Sequence, residues 1–361
     1  MREKICVSII VPFFNAECYI RRCLDVLLNQ DFSKPFEIIM VDDGSTDNSR
    51  NIAKLHESSI LQLYSLPSNA GPAAARNLGL KIAKGEYVFF LDVDDTIEPS
   101  TLTNLYEVAY ETNCDLVICD KNRIENSKNQ TANIFLYPSD QALGCTDLED
   151  AMRRRYYDPI TTMGLFGLTG RLIKHSIISD NNVLFEEKLR YWEDETFNWA
   201  IFAYVRSARY LRKKLYSYYV NPNVNSGVSD GFNKGFPVSN FKLTKNCIQD
   251  SLKKRGFSAK EIAKFGDQAF IYFIISALVS YSRSMILGKV DRENGVKCRR
   301  KLIEDILTDP DVMNAIRNYS PSKVESPWIP RAIAWRSRTL CEFACTRRAK
   351  GVLRIRRKGK A

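Results

Sequence analysis

The sequence predicts an α/β fold: a mostly parallel central sheet flanked by helices, followed by a helical C-terminal region. Three observations predict it. Short, nearly continuous apolar runs recur through the first 120 residues, with helix-like segments between them. Each run ends in a polar, loop-forming cluster. Residues 236 to 320 carry apolar side chains at the helical period.

The elements follow in order. "ICVSIIV" reads as a buried strand. Ile20, Cys23, Leu24, Leu27 and Leu28 then follow the i, i+3, i+4, i+7, i+8 pattern of a helix packed on one face. "FEIIMV" is a second strand, and the next helix carries Ile52 and Leu55. "ILQLYSL" is a third strand, "PSNAGP" a loop and "AAARNLGLKIA" a helix. "YVFFL" is the fourth strand. Thr96 is expected to start a turn, and Pro99 and Ser100 to open a helix bearing Leu102, Leu105, Tyr106 and Ala109. "DLVIC" is a fifth strand. Residues 121 to about 160 look irregular, with a further strand expected near Ile134 to Tyr137 and a helix at "DLEDAMRRRYY". A short helix, a loop and a longer helix from near Glu193 precede the strand-like "RYLRKKLYSYYV".

Buried strands joined through helices are the signature of βαβ units, and such sheets bind ligands beyond the carboxyl ends of their strands. "PFFNAE", "DDGS", "PSNAGP" and "DVDD" all fall on that one edge.

Composition narrows the class. The chain has 361 residues and is 45% hydrophobic, enough for more than one domain. The net charge is +11, but residues 328 to 361 hold eleven Lys or Arg against one acid, so the body is nearly neutral. Ten scattered cysteines without a C-x-x-C pair fit reduced thiols in a cytosolic protein, and two histidines do not furnish a zinc site. "MREK" leads straight into a strand, without the pattern of a signal peptide. No run of about 18 uncharged apolar residues occurs, which argues against a transmembrane helix; "AFIYFIISALV" reads as a buried helix.

Neither G-x-G-x-x-G nor a Walker A motif is present. The chemistry is carried by acids. Asp42 and Asp43 end the second strand, where a carboxylate accepts a hydrogen bond from a base N–H. Ser45 or Asp47 suits the cap of the next helix. Asp92, Asp94 and Asp95 follow "YVFFL". Three neighbouring carboxylates are hard oxygen ligands for Mn2+ or Mg2+ against a diphosphate. The same stretch also fits a phosphoryl-accepting Asp92 of a haloacid-dehalogenase-like phosphatase, or a solvated acidic turn.

Residues 5 to 100 resemble the family 2 glycosyltransferases of the Rossmann-like GT-A fold. The matching pieces are "VSIIVPFFNAECYIRRCLDVLLNQ", "EIIMVDDGSTDNS", "NAGPAAARNLGL" and "GEYVFFLDVDD". The resemblance implies that Pro12, Asn15 and Glu17 line the nucleotide site, that Asp42 and Asp43 hold base and ribose, and that Arg76 lies near base or diphosphate. Asp92 and Asp94 would be the D-x-D motif, with Asp94 or Asp95 on Mn2+ or Mg2+. It also implies that Glu193 and Asp194 of "YWEDETF" supply the catalytic base, Asp194 taking the proton and Glu193 supporting it. Arg171 stands where Lys is common in the family. Val220 and Asn221 stand where Arg or His often follows, which leaves Ser226 and Ser229 for the diphosphate loop.

The implied function is an inverting glycosyltransferase, hexosyl- or N-acetylhexosaminyl-, acting on a nucleotide-sugar donor, UDP being the family's commonest. The acceptor would be a saccharide or lipid-linked saccharide in bacterial surface-polysaccharide synthesis. A GT-A scaffold that has lost activity is the alternative outside enzymes. Residues 1–230 are expected as the catalytic domain, with a nucleotide half (1–120) and an acceptor half (121–230), and 231–327 as a helical appendage packing on it or on another copy. Residues 328–361 are expected as a basic tail on anionic membrane at the cytoplasmic inner face. No nucleic-acid partner is expected, because no recognition motif accompanies the charge.

Overall fold

The structure, a computed structural model, describes residues 4–125, 130–131, 137–189, 191–220, 236–290, 292–322 and 325–358. The strand expected near Ile134 lies outside these residues except for Tyr137, as do Ser226 and Ser229. The chain divides into two compact units. The first contains residues 1–152, 160–188 and 193–222; the second contains 153–159, 189–192 and 223–361.

The first unit is built on β1 (Val7–Phe13), α1 (Glu17–Leu28), β2 (Phe36–Asp42), α2 (Ser49–Lys54), β3 (Leu61–Ser65), α3 (Pro72–Ile82) and β4 (Tyr87–Phe90). β5 (Thr96–Ile97), α4 (Thr101–Thr112), β6 (Leu116–Glu125), β7 (Gln130–Thr131) and β8 (Gln141–Leu143) follow. Then come α5 (Cys145–Arg154), α6 (Pro159–Thr162), β9 (Arg171–Lys174), α7 (His175–Ser179), α8 (Glu193–Phe202) and β10 (Ala208–Val220). One sheet runs β3-β2-β1-β4-β9-β6-β10-β5, with β7 beside β6 and β8 beside β10.

β1 pairs in parallel with β2 and β4, and β2 with β3. β9 runs antiparallel between β4 and β6, so β6 and β10 again point the same way as β4. This is the mixed, mostly parallel sheet the sequence predicts. The carboxyl ends of β1, β2 and β4 therefore open on one edge, carrying residues 12–17, 42–45 and 92–95 together.

The core explains the placement. Val7, Ile9 and Val11 of β1 join Ile20, Cys23, Leu24 and Leu27 of α1 and Leu102, Leu105 and Ala109 of α4 in one buried cluster. Each Val, Ile or Leu side chain among them contributes about 1.5–3 kcal/mol by leaving water. α3 packs on β1 and β2. Its Gly79 lets helix and strand approach, since a Cβ there would lie 2.5 Å from Ile10 Cγ2.

Three local expectations change. Leu55 is 81% exposed, because α2 ends at Lys54 and cannot carry the stripe one turn further. Leu28 lies at the last turn of α1 and is exposed. Thr96 is not the start of a turn but part of β5, whose Thr96 and Ile97 pair with Ser217 and Tyr216.

The second unit contains α9 (Val238–Arg255), α10 (Ala259–Ile286), α11 (Arg292–Thr308), α12 (Pro310–Ala315), α13 (Trp328–Ala334) and α14 (Arg338–Lys358). α10 is much longer than "AFIYFIISALV" suggested. Among the described residues it is the one helix long and apolar enough to cross a membrane, with a mean hydropathy of 1.5 in its best window. That window is 61% buried, and α9, α11, α12 and α14 pack around the helix. Residues 328–358, expected as a tail, are two helices that bury Ile329, Ile333, Cys341, Cys345 and Ala349. The ten cysteines are thiols; five are buried, three half-buried, and Cys18 and Cys145 exposed.

Candidate active site

The loops after β1 and β2 are laced together. Asn15, at φ 48°, accepts the Thr46 N–H on Oδ1 at 2.8 Å, and its own N–H reaches Ser45 Oγ at 3.0 Å. The Ala16 N–H donates to Ser49 Oγ at 2.7 Å. Glu17 accepts the Asn48 N–H at 3.3 Å and donates its own to Asp47 Oδ2 at 3.1 Å. Asp47 also accepts the Ser49 N–H, an orphan of the α2 terminus, whereas Ser45 serves Asn15. Gly44 is required here. It sits at φ +74°, and a Cβ would lie 2.7 Å from the Ser68 carbonyl carbon.

Asp42 and Asp43 are both buried, but they differ in employment. Asp42 accepts the Ser45 N–H on Oδ1 at 2.9 Å. Asp43 accepts three donors: Ala70 N–H at 2.8 Å, Gly71 N–H at 2.9 Å and Asn69 Nδ2 at 3.0 Å. Burial pushes its carboxyl up, and the two backbone donors pull it back. Asp43 thus ties the 67–71 loop to the end of β2. Pro12 is buried within β1, opposite Val41.

The second half of the site centres on Arg76 of α3, which is only 7% exposed. Its Nη2 donates to Asp92 Oδ1 at 2.9 Å and its Nη1 to Glu193 Oε1 at 3.2 Å. One guanidinium therefore joins the acidic loop after β4 to the first turn of α8, which lies 117 residues from Arg76 in the chain. Burial works against its charge, and Asp92 and Glu193 more than offset this, so its pKa is raised.

Glu193 is pushed up to about 7 by burial and then by Asp194. Asp194 is raised by burial and by Glu195. It commits Oδ1 to the Glu195 N–H at 2.8 Å, and among the described hydrogen bonds Oδ2 takes none. The helix start is clamped from behind. Arg171 of β9, 1% exposed, donates to Asn198 Oδ1 at 3.0 Å, and Asn198 Nδ2 donates to the Asp194 carbonyl at 2.6 Å. At the position where the family often has Lys, Arg171 holds the start of α8.

Asp94 and Asp95 separate by environment. Asp95 is fully buried; Tyr216 Oη donates to its Oδ2 at 2.6 Å and the Tyr219 N–H to its Oδ1 at 2.9 Å. Burial and Asp92 hold it up at about 8. Asp94 is half-buried, raised by burial and by Asp92, and the Arg22 guanidinium is hydrogen-bonded to its carbonyl. The donor set fits a hard divalent ion, since the part-exposed Asp94 beside Asp92 offers hard carboxylate oxygens. Among the described residues no three acids, cysteines or histidines converge as a cage.

Sequence reasoning did not find Arg22, Lys121 or Tyr216. Arg22 stacks over Tyr219 at 4.1 Å. Lys121 donates to Thr169 Oγ1 at 2.8 Å and is lowered to about 8, by burial and then by Arg171, within reach of the Asp95 and Asp92 charges. The tyrosine-rich strand was visible, but not the bond from one of its hydroxyls to Asp95, 121 residues away.

The profile of Glycosyl transferase family 2 matches residues 8–166. This segment belongs to that family. The chain is a glycosyltransferase in class, and the match sets aside the phosphatase alternative built on Asp92. It is 27% identical over 351 residues to the glycosyltransferase YibD of Escherichia coli K12, covering 95% of this chain and 97% of that relative. It is 31% identical over 221 residues to the poly(ribitol-phosphate) β-N-acetylglucosaminyltransferase TarP of Staphylococcus aureus N315, covering 60% of this chain and 63% of TarP. In fold it is similar to S. aureus TarS 1–349 in complex with UDP-GlcNAc, at a TM-score of 0.67 and 20% identity over 96% of this chain and 92% of that one. The GT-A fold expected from the sequence is the one observed.

Proposed function

We propose that this chain moves a sugar from a UDP-sugar to a saccharide hydroxyl with inversion at the anomeric carbon. The observation that carries the reading is the Arg76 bridge. It sets the Glu193–Asp194 pair beside the D-x-D loop, so a proton acceptor and a diphosphate site share one strand edge. The acceptor oxygen attacks the anomeric carbon from the face opposite the diphosphate. The bond from that carbon to the diphosphate oxygen breaks, and the diphosphate leaves with the electron pair. The acceptor's proton passes to Asp194 Oδ2, the oxygen that Glu195 leaves available. General-base help of this kind supplies about 10²- to 10⁴-fold.

Glu193 holds Arg76 and keeps the pair in place. Asp42, with Asn15 and Glu17 bracing the loop, lines the nucleotide end, and Asp43 fixes the opposite wall. Asp94, with Asp92 beside it, would hold Mn2+ or Mg2+, while Asp95 anchors the loop through Tyr216. Such an ion, when bound, stabilises charge on the leaving diphosphate.

The UDP choice is supported by the UDP-GlcNAc complex of TarS, and a polymeric acceptor by the poly(ribitol-phosphate) in TarP's name. We place the reaction at the cytoplasmic face of a bacterial membrane, in surface-polysaccharide synthesis. The test is a binding panel of UDP-, GDP- and dTDP-sugars with and without Mn2+. The reading predicts Mn2+-dependent binding of a UDP-sugar. Binding of no nucleotide, with or without the ion, identifies an inactive scaffold instead.

A further inference from the structure

We propose that the outward side of α13 and α14 is a docking face for membranes containing anionic lipid. The observation is an inversion of ordinary helix packing. α14 buries small residues, Cys341, Ala344, Cys345 and Ala349, and exposes large ones. On α14, Leu340 is 42% and Phe343 62% exposed; Trp328 at the start of α13 is 55% exposed and Trp335, between the two helices, 62%. A helix fixed only by its own core would carry these large apolar side chains inward.

The exposed positions of α14 form one stripe. Leu340, Phe343, Arg347, Lys350 and Arg354 recur at steps of three and four, so the stripe begins apolar and turns basic along one helix face. Tryptophan and long basic side chains are the residues that settle at headgroup depth. Arg331 already lies over the Trp328 ring, at 5.4 Å.

The charge decides the occupant. Glu342, the one acid after residue 327, is turned toward Arg300 at 3.4 Å and Arg299 at 4.0 Å. The stripe therefore keeps its positive sign. A second copy of this chain, meeting the face symmetrically, would set basic stripe against basic stripe, which is unfavourable. A surface of anionic headgroups complements both halves. The apolar α10 is excluded from this role because its neighbours cover it. The inference rests on α13 and α14 alone and is independent of the sugar-transfer reading.

The test is co-sedimentation of the full chain with vesicles of phosphatidylcholine alone and of roughly 7:3 phosphatidylcholine to phosphatidylglycerol. The wild type binds the anionic vesicles at least about ten-fold better, and less so as salt rises. Replacing Arg347, Lys350 and Arg354 together by Gln weakens that binding about a hundred-fold, at about ten-fold for each 1.4 kcal/mol and 1 kcal/mol per charge. Trp335→Ala with Phe343→Ala weakens it about ten-fold or more at every salt concentration. All substituted residues are exposed, so the thermal midpoint should hold; should the apolar pair misfold, the charge variant alone decides. Equal binding to both vesicle types overturns the proposal, as does wild-type binding by the charge variant. A concentration-dependent dimer that Trp335→Ala and Phe343→Ala dissolve also overturns it. UDP-sugar binding, measured on the same variants, stays unchanged if the face is separate from the site.

Discussion

Arg76→Met removes the one cation shared by Asp92 and Glu193 and keeps the apolar stem. Taking one partner from a buried charge pair costs about 3–5 kcal/mol. Here the side chain of Asp92 is 33% exposed and that of Glu193 14%, so water recovers part of the loss. We expect about 2–3 kcal/mol, which lowers the thermal midpoint by roughly 4–12 °C in a unit of roughly 200 residues. The sign with pH is specific. Glu193 is already raised to about 7 in the folded chain, and without Arg76 it rises further. A carboxyl whose folded pKa lies above its unfolded value binds more protons when folded, so it loses stability as pH rises through that window. The deficit of the variant should therefore be larger at pH 8 than at pH 5.5. The assay is thermal unfolding of both proteins at the two pH values. A midpoint equal to the wild type, or a deficit that grows on acidification, refutes the assignment of Arg76 as the shared counter-ion.

Two further outcomes follow from the same geometry. Turnover at saturating donor should rise with pH above the ordinary carboxylate range and then level, because burial and Glu195 raise Asp194 and the base works only when deprotonated; a rate that falls as pH rises there speaks against a carboxylate base. Tyr216→Phe leaves the buried Asp95 with one donor fewer, costing about 1–3 kcal/mol in denaturant unfolding. It should also weaken Mn2+-dependent donor binding by displacing the loop that carries Asp94, and unchanged stability would show that Asp95 does not depend on that hydroxyl.

The strands were legible because β1, β2 and β4 are buried on both faces and read as unbroken apolar runs. The acids at their ends were legible because the pattern places them on one edge. What was not legible depends on long-range contacts. Only the resemblance puts Arg76 near base or diphosphate; its bridge from Asp92 to Glu193 forms because α8 brings Glu193 to it. Asp95 looks like Asp94 until Tyr216 reaches it from β10, which separates an anchoring acid from a candidate metal ligand. Residues 328–358 read as a tail because the inner face of α14 is Cys and Ala, which gives a weak hydrophobic period, while Trp328, Trp335, Leu340 and Phe343 are exposed. Deleting them would strip Ile329, Ile333 and Cys341 from the helical core, so point substitutions test the docking face more cleanly.

The most direct test of the central claim is the turnover of Asp194→Asn with donor and acceptor saturating, measured beside UDP-sugar affinity. The account predicts a loss of about 10²- to 10⁴-fold in turnover with affinity within a few-fold of the wild type. Turnover within about ten-fold of the wild type would contradict it.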